Sequence, residues 1–238
     1  MAAKCTVYLS EVSALSDPAL FAAGMERVPE SRREKVRTLR HEDIRRQSLG
    51  AGLLLTLALK ERGVEGRDAR ILESSLGKPY LPDAPEIHFS LSHAGIWAMC
   101  AVGNAPLGCD VERLGRGSER LAARFFHPEE QAYLTSFGKD TESAWQRAFT
   151  RIWTRKESLL KAAGTGLSVP MNSFSVLADP PGMRFEEPPE TLQDTGRKTM
   201  EVRSAGQASE KAEYLFSLCV RRDEADPEWR AVLIEQMQ

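Results

Sequence analysis

The chain has little from which to build a soft-ligand metal centre. Its four cysteines (Cys5, Cys100, Cys109 and Cys219) form no CxxC pair, and its four histidines show no paired spacing, which disfavours zinc. Two of the cysteines sit in apolar, strand-like runs, so they read as buried small hydrophobes in a reducing compartment rather than as disulfide partners. A surplus of basic charge is also missing. A net charge of −2 excludes a general nucleic-acid binder, whose affinity depends on many phosphate contacts. No apolar run approaches the roughly 20 residues that cross a bilayer. The start, MAAKCTVYLSEVSAL, has no basic segment leading into an uninterrupted apolar stretch. A cytoplasmic protein with neither membrane nor nucleic acid as partner is therefore expected.

What is present is enough hydrophobic sequence, 42% of 238 residues, for one large domain or two halves of about a hundred residues each. Residues 4–10 alternate as a first strand, and Ser16-Asp17-Pro18 suits a helix start. From Pro29 the stretch PESRREKVRTLRHEDIRRQSLG places Arg32, Arg33, Lys35, Arg37, Arg40, Arg45 and Arg46 close together, interleaved with Glu34, Glu42 and Asp43. It is either a solvated helix face laced with ion pairs or a fixed positive rim suited to a phosphate. The apolar SLGAGLLLTLALKERG that follows predicts a core helix ending at Gly63.

Next, GKP (77–79) is loop chemistry. HFSLSH (88–93) and IWAMCAVG read as strands joined at Ala94-Gly95, and LGCDVE (107–112) reads as a third. On a strand, Asp110 and Glu112 project from one face. Residues 114–144 return to helical patterns, with Pro128 near a helix start. After residue 169, NSFSVLA and KAEYLFSLCVRRD read as strands. Each half thus runs long helix, glycine, a strand like HFSLSH or SFSVLA, then an apolar strand. This faint repetition suggests two similarly built lobes with a cleft between them.

The chain is organised around residues 149–169, FTRIWTRKESLLKAAGTGLSV. Read as a helix, it sets Trp153, Glu157 and Lys161 on one face at i, i+4 and i+8, with Lys156 about 100° away. Gly164 stops the helix and Gly166 keeps the next turn open. Such residues are often no more than a surface ion pair and a packed tryptophan. Together with Asp110 and Glu112, however, Glu157 completes three carboxylates suited to a hard divalent cation, with Lys161 and His93 as partners for a phosphate. His93 can equally be a strand-end histidine satisfied by backbone, and Lys78 an exposed turn lysine.

These blocks, GKP, HFSLSH, LGCDVE and WTRKESLLKAAGTGLS (153–168), stand in the order found in the 4′-phosphopantetheinyl transferases of the long, surfactin-synthetase-activating type, which the chain resembles over residues 29–176. The resemblance implies an α+β fold of two similar lobes in one chain, 1–106 and 107–238, related by a pseudo-twofold with the active site in the cleft between them. It implies a monomer, since only the short acyl-carrier synthase type assembles from separate subunits. The implied reaction is transfer of the phosphopantetheine arm of coenzyme A to a serine hydroxyl of an apo acyl or peptidyl carrier protein, with adenosine 3′,5′-bisphosphate leaving.

By motif, Asp110, Glu112 and Glu157 look like ligands of magnesium, with manganese as the alternative ion. Lys161, His93 and Ser92 look like pyrophosphate contacts, and Lys78 lies in the block that contacts the nucleotide. Arg32, Lys35 and Arg46 match the 3′-phosphate positions. Glu157, or a metal-bound water it polarises, is the implied acceptor of the serine proton, which makes Glu157, Lys161 and His93 the catalytic set. Glu130 matches a family glutamate near the metal region, with Glu129 beside it. Two departures are Ala94, where a serine is usual, and Cys109, where a branched aliphatic is usual. Arg113, Arg116, Arg120 and Arg124 beside Phe125 and Phe126 suit docking of an acidic carrier, unless the phenylalanines are core and the arginines merely solvated. A magnesium-dependent hydrolase of a nucleotide pyrophosphate such as coenzyme A would use the same carboxylates, with water as nucleophile.

Overall fold

Asp17 illustrates how local chemistry sets the first elements. In the computed structural model, which describes residues 5–137, 142–177, 184–185, 200–205, 214–221 and 227–234, strand β1 (Thr6–Glu11) is followed by helix α1 (Pro18–Met25). The Asp17 carboxylate accepts from the backbone N–H of Ala19 at 2.7 Å and of Leu20 at 3.2 Å, while Pro18 fills the first helical position, where no N–H is needed. The basic stretch becomes two helices, α2 (Glu30–Thr38) and α3 (Glu42–Lys60), because Leu39 and His41 are extended. Two short strands, β2 (Leu72–Glu73) and β3 (Pro79–Tyr80), form a ribbon around the GKP loop. The hairpin β4 (His88–Ala94) and β5 (Trp97–Gly103) follows. Its turn is Gly95-Ile96, one residue later than the sequence suggests, with Gly95 at φ 55°.

The later elements are β6 (Gly108–Arg113), α4 (Glu119–Phe125), α5 (Pro128–Thr135), α6 (Glu142–Ala163), the two-residue β7 (Phe174–Ser175) and β8 (Arg184–Phe185), then β9 (Met200–Ala205), β10 (Tyr214–Arg221) and β11 (Glu228–Ala231). The chain divides into two compact units, residues 1–106 with 224–238, and residues 107–223. The first is a four-stranded sheet of order β11-β1-β5-β4 with α3 laid across it. The second is an antiparallel sheet of order β6-β10-β9 with α6 laid across it. Each has its own apolar core, around Leu49, Leu54, Leu55 and Phe89 in the first and Phe126, Ile152, Leu159 and Phe174 in the second.

Two expectations change. Residues 224–238 belong to the first unit and not to a 107–238 lobe, because β11 pairs in parallel with the outer edge of β1, from Thr6 opposite Glu228 to Leu9 opposite Ala231. Arg230 of that strand donates to the Glu61 carboxylate at 2.7 Å, an oxygen that also accepts from the Tyr8 hydroxyl at 2.7 Å. The parallel between HFSLSH and SFSVLA is also only sequential. In the first unit β4 pairs with β5, whereas β7 pairs with β8 and the partners of β10 are β6 and β9. The strand that β10 needs is supplied from before α6, and residues 173–176 instead run beneath α6, as described below.

Among the described residues no helix is long and apolar enough to cross a membrane. All four cysteines are buried and none is in a disulfide.

Candidate active site

The second unit brings together the residues of two motifs by pressing a strand against a helix. A side chain at Gly108 would place its Cβ 2.0 Å from the Ser158 carbonyl oxygen and 2.3 Å from the Ala162 nitrogen, so β6 meets α6 backbone to backbone, as only glycine allows. Two residues on, Asp110 comes level with the last turn of α6, and its Oδ1 accepts from Lys161 Nζ at 2.6 Å. Asp110 is 3% exposed, while the Lys161 side chain keeps 31% of its surface. Gly164, at φ 72°, ends α6 one turn later, its N–H returning to the Leu160 carbonyl at 2.9 Å. Burial pulls the Lys161 ammonium down, but the Asp110 carboxylate outweighs it and holds the group above its ordinary range.

Glu112 lies on the same face of β6, and Glu157 one helical turn before Lys161. Both carboxyls are pushed up, first by burial and then by the negative charge of Asp110. Lys161 opposes the shift at both, and Arg116 opposes it at Glu112. Glu112 reaches about 7. The three acids therefore sit close enough to repel, and all three lie in the second unit. Among the described residues no three His, Cys, Asp or Glu side chains are already arranged as a metal cage. The donor chemistry, hard oxygens carrying excess negative charge, does fit a divalent cation.

Glu112 makes stability pH-dependent with a definite sign. Its carboxyl is raised from an ordinary 4.5 to about 7, so between those values the folded chain holds a proton that the unfolded chain has lost. Stability from this group is thus full on the acid side and declines as pH rises through the window, by at most about 3 kcal/mol. Urea midpoints in cation-free buffer should fall from pH 5 to pH 7.5, and Glu112→Gln should flatten that fall. Equal slopes for both proteins would contradict the assignment.

Lys156, one residue from Glu157, points the other way. Its ammonium is fully buried, 2.8 Å from Glu130 Oε2, and donates to the carbonyls of Met171 (2.7 Å) and Phe174 while lying over the Phe174 ring. Glu130 in turn accepts from the backbone N–H of His127 at 2.9 Å and of Val176 at 2.8 Å. The pair clamps residues 171–176 beneath α6, in keeping with the 100° that separates Lys156 from the face of Glu157 and Lys161. Of the two adjacent glutamates, Glu130 is the buried one; Glu129 is exposed.

Trp153 belongs to an aromatic row along α6, stacked with Phe149 at 6.0 Å, which stacks with Trp145 at 5.5 Å. Phe149 and Trp153 of this row line a pocket of about 360 Å³ together with Glu112, Arg113, Arg116, Leu121 and Thr150. Of the basic patch, Phe126 is core, Phe125 packs edge-on to Trp153, and Arg124 lies over the Phe125 ring. Half the surface pictured for docking is therefore structural.

In the first unit, Arg32 reaches from α2 to the Ser48 hydroxyl on α3 at 3.4 Å. Burial depresses its guanidinium, and burial plus the charge of Arg32 depresses Lys35, so these two cations share one locality. Arg46 is about 200° around α3 from Ser48 and lines a separate pocket of about 220 Å³ with Phe21 and Arg45. His93 and Ser92, adjacent on β4, project to opposite faces. His93 faces α3, where its Nδ1 is 3.0 Å from Gln47 Oε1. Lys78 is half-buried in the ribbon, near enough to His88 to help burial depress that imidazole.

The profile of the 4′-phosphopantetheinyl transferase superfamily matches residues 106–217. The chain is 39% identical over 153 residues to a 4′-phosphopantetheinyl transferase of Bacillus subtilis, covering 64% of this chain and 67% of that protein. It is 35% identical over 179 residues to the 4′-phosphopantetheinyl transferase Sfp of Bacillus subtilis strain 168, covering 75% of this chain and 79% of that protein. The chain belongs to the 4′-phosphopantetheinyl transferase superfamily. Among solved structures it is similar to the holo-[acyl-carrier-protein] synthase of Thermotoga maritima, with a TM-score of 0.38 and 18% identity over 53% of this chain and 64% of that one.

Two residues and one ion pair of this transferase carry weight that the motifs do not assign. Gly108 had a detectable signal, a glycine two residues before a paired acid at a strand start. Gln47 had none, because its partners His93 and Gly95 are more than forty residues away. The Glu130–Lys156 bond was equally hidden, since the resemblance singles out Glu130 but gives it no partner.

Proposed function

We propose that this transferase moves the phosphopantetheine arm of coenzyme A onto the hydroxyl of an apo carrier-protein serine. The serine oxygen forms a bond to the phosphorus bearing the pantetheine, the bridging P–O bond breaks, adenosine 3′,5′-bisphosphate departs, and the serine proton passes to Glu157 or to a water beside it. The observation that carries this reading is the convergence of Asp110, Glu112, Glu157 and Lys161 where β6 and α6 touch. Lys161, held charged by Asp110, would meet the diphosphate oxygens, with His93 and Ser92 as further contacts. Magnesium, or manganese in its place, is the ion proposed for the three carboxylates. When bound it supplies positive charge to the diphosphate.

Arg32 and Lys35 are the proposed 3′-phosphate grip and Lys78 a nucleotide contact. The exposed arginines beside the 360 Å³ pocket, Arg113 and Arg116, suit an acidic carrier surface. The proposed setting is the cytoplasm, with a monomer as the working form.

Incubating the protein with coenzyme A, magnesium and an apo carrier should add one phosphopantetheine per carrier by intact mass and release the bisphosphate in equal amount. Release of bisphosphate without carrier, or no carrier modification, overturns the reading. Arg32→Ala should raise KM for coenzyme A about tenfold, the worth of a charge-assisted hydrogen bond, and barely change KM for dephospho-coenzyme A. Equal losses would remove Arg32 from the phosphate site. The same comparison at Arg46 decides whether it belongs there, since a selective loss would place it with Arg32.

A further inference from the structure

We infer that Gln47 is a positioning residue that holds His93 in one tautomer, with the proton on Nδ1. The side chain of Gln47 is buried, 5% exposed, and lies between two partners. Its Nε2 donates to the Gly95 carbonyl at 2.7 Å, and its Oε1 is 3.0 Å from His93 Nδ1. A backbone carbonyl can only accept, so Gly95 decides which way the amide faces. The amide oxygen is then the atom turned toward the imidazole, and an amide oxygen can only accept. His93 must therefore donate through Nδ1–H. Gly95 and His93 both lie at the β4–β5 turn, so α3, the turn and the ring form one connected chain of hydrogen bonds.

The consequence concerns the ring's other nitrogen. With Nδ1 protonated, the neutral imidazole has a lone pair at Nε2, and Nε2 donates only when the ring is a cation. A phosphate approaching Nε2 thus meets either an imidazolium, which attracts it, or a lone pair, which does not. Gln47 removes the third state, a neutral ring with Nε2–H. It also fixes the ring plane, which a long side chain without such a partner would leave to rotate.

This inference rests on the proposed contact of His93 with coenzyme A, and the two can fail separately. In 15N-labelled protein without nucleotide, two-bond 15N–1H correlations at a pH where the ring is neutral should report the Nδ1–H form of His93. Gln47→Leu should let the Nε2–H form appear and raise KM for coenzyme A about tenfold, with the loss carried in KM rather than kcat. Gln47→Glu keeps an acceptor for Nδ1–H and should recover most of that loss, which a purely packing role would not explain. A neutral Nε2–H ring in the wild type, or a Leu variant with tautomer and KM both unchanged, overturns the inference. An unchanged KM in His93→Ala would instead sink the proposed phosphate contact and leave the tautomer assignment to the NMR measurement.

Discussion

Asp110→Asn is expected to slow transfer to a carrier about a thousandfold while the protein stays folded. Asp110 has two duties that an amide cannot perform. Its carboxylate accepts from Lys161 at 2.6 Å and keeps that ammonium charged despite burial, and it is one of three negative oxygens groups proposed for the cation. Losing roughly 4 kcal/mol of charge stabilisation at a diphosphate corresponds to about three orders of magnitude in rate. The fold should tolerate the change. Lys161 keeps nearly a third of its surface and can turn to water, and the neutral Asn relieves repulsion on Glu112 and Glu157. Initial rates of carrier modification at saturating coenzyme A, with a melting curve on the same sample, test this. A rate within tenfold of wild type would remove Asp110 from the site.

Lys156→Met should do the reverse, unfolding the protein readily before any question of chemistry arises. The substitution leaves the Glu130 carboxylate fully buried with its ammonium partner gone, and strips donors from the Met171 and Phe174 carbonyls. Breaking such a pair from one side costs about 3–5 kcal/mol. For a chain of this length that lowers the melting temperature by about 10 °C. Removing the second charge as well, in Lys156→Met with Glu130→Gln, should recover at least half, because the cost comes from an isolated buried charge rather than from the lost attraction. A single variant within about 1 kcal/mol of wild type, or a double variant no better than the single, would show that the pair is not the clamp described.

The motifs of the candidate site were legible because they are local. Asp110 and Glu112 share a face by strand alternation, and Glu157 and Lys161 share one by helical spacing, so each pair could be placed before anything was folded. The start of α1 at Asp17-Pro18 and the end of α6 at Gly164 were readable for the same reason, whereas α3 ends at Lys60, three residues short of Gly63. What stayed hidden depends on distant partners. Lys156 and Lys161 look alike in sequence, and only the position of Glu130 sends one inward while Asp110 holds the other. The pairing of β11 with β1 joins the two ends of the chain, and nothing in EWRA announces it. Arg32 and Arg46 read as one basic run, yet the break at Leu39–His41 and the turn of α3 separate them.

At Gly108 two main chains touch with no side chain between them, and this limits how the enzyme can drift. Spacing between Asp110 and the helical residues cannot be retuned by enlarging or shrinking a neighbour, since no neighbour intervenes. The one adjustment open to the strand is to slide by a whole residue, which would turn both of its acids to the opposite side of the sheet.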